Sequence, residues 1–291
     1  MRSDIEVRRA VDFYQLGLPR MPVAGRSGEL LGRGTGTSVE FQEFREYTPG
    51  DDIRHLDWSA YARSDSLMVR LYREEISPRT EILLDASRSM TVGFPDAPET
   101  DLKAKVAKQL AAMLALMSGR LGGRPALVPL DDSQPLHKLN LKALDSLDGL
   151  PFSAVSTLPE LLSRNAISFG KQAVRIVISD FLFPHDPAAL IRRLAADASA
   201  LWVLQVLTAW EADPVPLGGR RLIDAETAAE AEIIIDRKAV TAYKERLGRL
   251  QAELARECRR VHAPFVTLIA EKGLATLCHD ELCAAEILRP S

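Results

Sequence analysis

From Arg79 onward the chain alternates short, unbroken apolar runs with stretches whose apolar residues recur every three or four positions. Residues 81–85, 173–179 (AVRIVIS) and 200–207 are apolar almost throughout, the pattern of strands buried on both faces. Residues 125–130 (PALVPL) read as a weaker strand because of their prolines, 265–270 as the last of the series, and 233–235 as a further one. Between these runs, residues 101–118 place Leu102, Val106, Leu110, Met113, Leu114 and Met117 on one helical stripe, with Thr100 as N-cap and Gly119 beyond the end. Further helices are expected at 140–148, 156–165, 186–198 and 238–261, the last with Val240, Tyr243, Leu247, Leu250 and Leu254 in phase. Strand–helix alternation of this kind predicts an α/β fold, a doubly wound, mainly parallel sheet over about 78–271 with helices on both faces.

The first quarter of the chain follows another rule. Residues 4–16 fit a short amphipathic helix with Val7, Ala10, Val11 and Tyr14 on one face, and 17–38 form an irregular arm rich in Gly, Pro and Arg. Around Pro49-Gly50-Asp51-Asp52, a turn, apolar and charged residues alternate as in strands: Leu67, Val69 and Leu71 on one side, Met68, Arg70 and Tyr72 on the other. The expected division is a small, partly β N-terminal attachment over 1–77, carrying the segment GDDIRHLDW, and a main domain over 78–291. Residues 1–79 hold twelve arginines and no lysine. Planar Arg–carboxylate pairing and an arginine-biased genome both account for that.

Composition narrows the function classes. At 291 residues, with 46% hydrophobic and 26% charged, the chain has ample material for a core. A formal net charge of -3 argues against a nucleic-acid binder working through a broad basic field, and gives no reason to invoke an anionic membrane. Cys258, Cys278 and Cys283 have neither disulfide-framework nor CxxC spacing, which points to idle thiols in a reducing compartment. The N-terminus is too charged for a signal peptide, and no run approaches the roughly 20 apolar residues of a membrane span. A cytoplasmic protein is the expectation.

Two apolar strands run into carboxylates, Asp85 and Asp180, and ligands of doubly wound sheets bind beyond the carboxyl ends of strands. The first continues as Asp85-Ala86-Ser87-Arg88-Ser89, so one loop carries a carboxylate and two hydroxyls at alternate positions. Thr157, at the start of an expected helix, adds a third hydroxyl. Oxygen-only ligands suit a hard cation such as Mg²⁺; Mn²⁺ fits nearly as well, and Ca²⁺ less well with so few carboxylates. The plainer account has Asp85 capping its turn while Ser87 and Ser89 satisfy loop amides.

Other chemistries fare worse. A haloacid-dehalogenase-like phosphatase would use Asp85 as nucleophile, but Ser87 stands where its acid/base aspartate belongs. No GxSxG elbow and no HExxH occur, and the five histidines are scattered. Gly32–Ser38 lacks the lysine of a phosphate-binding loop. A scaffold with a vestigial ion site, docking through the outer face of the 238–261 helix, stays open.

ILLDASRSM, with Ser156-Thr157-Leu158 and VISDF, resembles the metal-ion-dependent adhesion site of von Willebrand factor A domains. That resemblance implies that Ser87, Ser89 and Thr157 contact the ion while Asp85 and Asp180 bind it largely through water. EFREYTPGDDIRHLDWSAYARSDSLMVRLYREE closely resembles the signature of the family catalogued as domain of unknown function 58, a likeness running from about residue 10 to 285. One departure is local: the family often has Thr-Asp-Leu where this chain has Ser156-Thr157-Leu158. The family resemblance implies a non-catalytic interaction module, whose partner is a MoxR-type AAA+ ATPase supplying an acidic side chain to the ion's open coordination position.

Overall fold

The computed structural model describes residues 1–17, 39–49, 51, 53–64, 66–74, 79–91, 101–133, 136–164, 167–223 and 230–291. The arm expected at 17–38 and the N-cap expected at Thr100 lie almost wholly or entirely outside them. By contact the chain separates into two units, Met1–Leu18 with Pro78–Ser291, and Pro19–Ser77.

In the smaller unit, β2 (Val39–Glu46) pairs antiparallel with β3 (Met68–Glu74), with a register shift between Phe41 and Glu43. Two carboxylates of GDDIRHLDW, those of Asp51 and Asp57, shape the intervening loop. Asp51 accepts from Thr48 N–H at 2.9 Å and pairs with Arg45 at 2.7 Å, bonds that hold its carboxyl below its ordinary range. Asp57 is buried and caps α2 (Trp58–Ser64) by accepting from Ser59 and Ala60 N–H at 2.9 and 3.0 Å. Trp58 and Tyr61 meet edge to face, with Trp58 64% exposed.

The larger unit opens with α1 (Ile5–Phe13), capped by Asp4, and β1 (Tyr14–Leu16). Both belong to this unit and not to the attachment into which the sequence pattern groups them, because α1 buries Val7, Ala10 and Val11 in the main core. Its strands and helices then follow as β4 (Thr80–Asp85), α3 (Leu102–Arg120), β5 (Ala126–Leu130), α4 (Leu158–Ser163), β6 (Ala173–Ser179), α5 (Pro187–Ala195), β7 (Ala198–Leu207) and α6 (Ala209–Ala212). After them come β8 (Gly218–Ile223), β9 (Glu230–Ile235), α7 (Arg237–Arg260), β10 (Phe265–Ile269), α8 (Gly273–Thr276) and β11 (Leu288–Pro290). Gly119 lies inside α3, not beyond it; the chain turns at Gly122, whose φ of 75° a side chain would resist.

Five strands form one all-parallel sheet in the order β10-β7-β6-β4-β5. Alternate residues face opposite layers: Ile82 and Leu84 pack with α1, α3 and α8, whereas Leu83 packs with α4, α5 and α7. The fold is therefore α/β and doubly wound. β5 tolerates Pro129 because it is an edge strand of the sheet, paired along its length with β4 and bridged on its outer side at Leu127 to Leu139. Residues 233–235 do not join this sheet. They pair with β8 in a separate antiparallel hairpin, and Ile234 is 71% exposed, so an apolar triplet here marks a hairpin and not a core strand.

β11 pairs with β1, tying the two ends of the described chain together. At that junction Gly17 N–H donates to Ile287 at 2.8 Å, and a Cβ on Gly17 would stand 2.0 Å from the Glu286 carbonyl oxygen. Among the described residues no helix is long and apolar enough to cross a membrane.

Candidate metal centre

The site lies where the chain reverses its winding. From β4 the chain crosses one face through α3 to edge strand β5, then returns over the other face through α4 to β6, on the far side of β4. The connections that leave the carboxyl ends of these two strands, through α3 from β4 and through α5 from β6, run over opposite faces and away from the gap between them, leaving a crevice there. Leu84 stands beside Ile178 in the ladder, so Asp85 ends one strand next to Ser179, and Asp180 follows directly.

Asp85 is buried. One oxygen accepts from Ser87 N–H at 2.9 Å, as in any aspartate that caps its own turn, and the other accepts the Ser179 hydroxyl at 2.5 Å. Burial, and then the charge of Asp180, push the Asp85 carboxyl above its ordinary range against the pull of those bonds. A carboxylate that served only as a cap gains nothing from a second carboxylate placed beside it. The Ser87 and Ser89 hydroxyls stand 2.9 Å apart.

The loop bearing Thr157 is pinned beside them. Ala154 N–H donates to Ala86 at 3.0 Å and Arg88 N–H to Ala154 at 3.3 Å. Asp132 accepts from Val155 and Ser156 N–H at 2.9 and 3.1 Å, bonds that lower its own pKa. Thr157 opens α4, its N–H donating to Glu160 Oε2 at 2.8 Å. Among the described residues no hydrogen bond joins Thr157 to the other four.

Asp180 is fully buried; Oδ1 accepts from Leu182 N–H at 3.0 Å and Oδ2 accepts from Lys103 Nζ at 3.0 Å. Lys103, 1% exposed, also donates to Glu211 Oε1 at 2.7 Å. Burial works against its charge, but Asp180 and Glu211 together hold its pKa above the ordinary lysine value. Glu211 Oε2 accepts from Thr208 N–H at 2.8 Å, and Tyr243 donates its hydroxyl to the Glu211 backbone carbonyl at 2.9 Å. Burial, with Glu211 and Asp180, pushes Tyr243 up to about 12.

Pattern reading did not pick out Lys103, Ser179 or Glu211. Lys103 carried a signal: it stands three and seven residues before Val106 and Leu110, in phase with the apolar stripe of α3. Ser179 carried a weaker one, as the last residue of a buried strand. Glu211 carried none, because its role depends on a lysine 108 residues away.

The donor set fits a hard cation. Its atoms are all oxygens, two hydroxyls already lie close together, and Asp85, Asp180 and Glu211 against Lys103 alone leave the ionised cluster negative. Asp85, Ser87 and Ser89 are the residues that the hydrogen bonds bring together for such an ion, beside Asp180, whereas among the described residues no bond brings Thr157 to them.

A family model described as protein of unknown function DUF58 matches residues 43–253. Uncharacterized proteins of Mycobacterium bovis and Mycobacterium tuberculosis are each 25% identical over 251 residues, 84% of this chain and 79% of theirs. Two solved structures are loosely similar. A conserved hypothetical protein, BatB, from Bacteroides thetaiotaomicron is 14% identical with a TM-score of 0.37, over 66% of this chain and 90% of that one. An aerotolerance-related membrane protein from Bacteroides fragilis has the same identity and coverage and a TM-score of 0.35.

Proposed function

This chain belongs to the family described as protein of unknown function DUF58, and from that premise we propose that it is a non-catalytic adaptor of the cytoplasm, von Willebrand factor A-like, that docks a partner protein through a divalent cation. The ion is Mg²⁺, with Mn²⁺ as substitute, held by Asp85, Ser87, Ser89, Thr157 and Asp180. The partner is a MoxR-type AAA+ ATPase, and the outcome is chaperone-like assembly or maturation of a further complex.

One observation carries this reading: two buried carboxylates and two adjacent hydroxyls converge at the point where the sheet's winding reverses, with the Asp85 carboxyl destabilised by burial and by Asp180. A dication relieves that repulsion and keeps a coordination position for one more oxygen, which a partner carboxylate can fill. Ser87, which has no acid/base capacity near neutral pH, stands two residues after Asp85, so the cluster supports holding a cation better than attacking a phosphate ester.

The test is capture of the purified MoxR-type ATPase of the same organism on the immobilised protein. Three arms are compared: Mg²⁺, EDTA, and Asp85→Ala with Mg²⁺. Retention in the first arm alone supports an ion-dependent adaptor. Equal retention in all three removes the ion from the docking step, and retention in none removes this ATPase as the partner.

A further inference from the structure

We propose that Lys103 sets the cation affinity of the strand-end site by competing with the ion for Asp180. This rests on the reading that the site takes a divalent cation, and adds to it a residue outside the ligand set.

Lys103 enters from α3, on the layer of the sheet opposite α4, and its ammonium group is enclosed. It is held from both sides, at 3.0 Å by Asp180 and at 2.7 Å by Glu211. Glu211 is in turn fixed by Thr208 and by the N-terminal turn of α6, so the ammonium position is set by the fold. An ammonium at hydrogen-bonding distance takes a lone pair of Asp180 Oδ2 that an ion, or a water on an ion, would otherwise compete for, and its positive charge repels the ion. Asp180 Oδ1 is engaged as well, by Leu182 N–H, so both oxygens of this carboxylate already have donors.

The ion therefore enters a site that has one internal cation bound. Lys103 gives the buried Asp180 a counter-charge in the ion's absence, and it lowers the gain from adding the ion. Such a site binds a dication weakly by itself, and gains most from an additional carboxylate brought by a partner. In this arrangement a buried lysine makes ion binding depend on docking.

The experiment separates competition from simple charge. Lys103→Met removes the ammonium but leaves Asp180 and Glu211 without it, and can fail to fold. The double variant Lys103→Met/Glu211→Gln removes one cation and one anion together, so the formal charge of the cluster equals that of the unaltered protein. Lys103→Arg keeps a cation at the site. Mg²⁺ and Mn²⁺ binding is measured by calorimetry, with Mn²⁺ electron paramagnetic resonance as a second readout, on the full chain, the two folded variants and Asp85→Ala.

The double variant is expected to bind Mg²⁺ at least about tenfold more tightly than the unaltered protein, about 1.4 kcal/mol, with Lys103→Arg within about threefold of it. Equal affinity of the double variant and the unaltered protein overturns the role of Lys103 while leaving the ion site standing. Binding in none of the proteins, or binding that Asp85→Ala does not weaken, overturns the ion site itself, and the Lys103 proposal with it.

Discussion

Replacing Arg175 with methionine should destabilise the fold strongly, and should leave the ion site unaltered. Arg175 on β6 is fully buried beside Glu81 on β4, at the amino ends of the two strands whose carboxyl ends carry Asp180 and Asp85. Its Nε and Nη2 each donate to Glu81 Oε2 at 3.2 Å, Nη1 donates to the Leu194 carbonyl and to that of Ala196 at 3.2 Å, and the guanidinium stacks 3.7 Å above the Phe169 ring. Glu81 retains a bond from Gly170 N–H at 2.7 Å, which does not replace a counter-charge. Leaving one member of a buried ion pair alone costs about 3–5 kcal/mol. The two orphaned carbonyls add about 1 kcal/mol or more. A total of about 4–6 kcal/mol corresponds, at about 2–4 °C per kcal/mol for a chain of this size, to a fall in Tm of at least about 8 °C. Urea unfolding followed by circular dichroism measures it. Because the cost is that of an uncompensated charge, Arg175→Met/Glu81→Leu should recover most of the loss. A single-variant loss under about 1 kcal/mol, or a double variant no better than the single, would refute the account. So would a change in Mg²⁺ affinity of folded Arg175→Met, since its site lies at the other end of the strands.

Three further outcomes are expected. Ser179→Ala removes the donor to Asp85 Oδ2 and the acceptor of Phe181 N–H at 3.0 Å, and should cost about 1–3 kcal/mol in urea unfolding. A loss under about 0.5 kcal/mol would show that neither bond matters to the fold. His185, bonded to the Phe183 carbonyl at 2.7 Å, has its pKa lowered by burial. Its folded value lies below the unfolded value of about 6.5, so its contribution to stability is complete above that pH and is lost as pH falls through the folded value. Tm measured from pH 7.5 to 5 should therefore fall more steeply in the unaltered protein than in His185→Phe; parallel profiles would contradict this. Gly17→Ala forces a methyl group onto the Glu286 carbonyl and should cost about 1–3 kcal/mol, with faster amide exchange along β1 and β11. Unchanged exchange there would mean that the strand pair accommodates the methyl.

Much of the fold and part of the site were legible in the order of residues, because burial on both faces leaves a continuous apolar run and burial on one leaves a period. β6 matches its predicted run at both ends, α3 and α7 match theirs within a few residues, and the carboxylates that end β4 and β6 stand out as polar residues closing apolar strands. That Asp85 and Asp180 share one crevice follows from the fold class once the strands that carry them are neighbours. What the pattern left open was the choice of partner. The apolar triplet at 233–235 satisfies a core strand and a hairpin equally, and only the pairing with β8 decides between them. β1 and β11 are too short to carry a period, and they exist because the two ends of the described chain meet. Lys103 shows the same limit at the site: its spacing places it on the buried face of α3, but a buried ammonium is tolerable only where carboxylates surround it. Those carboxylates come from residues 77 and 108 positions away, brought together by the sheet. Local periodicity records which side of an element avoids water, and tertiary structure alone decides which charges meet there.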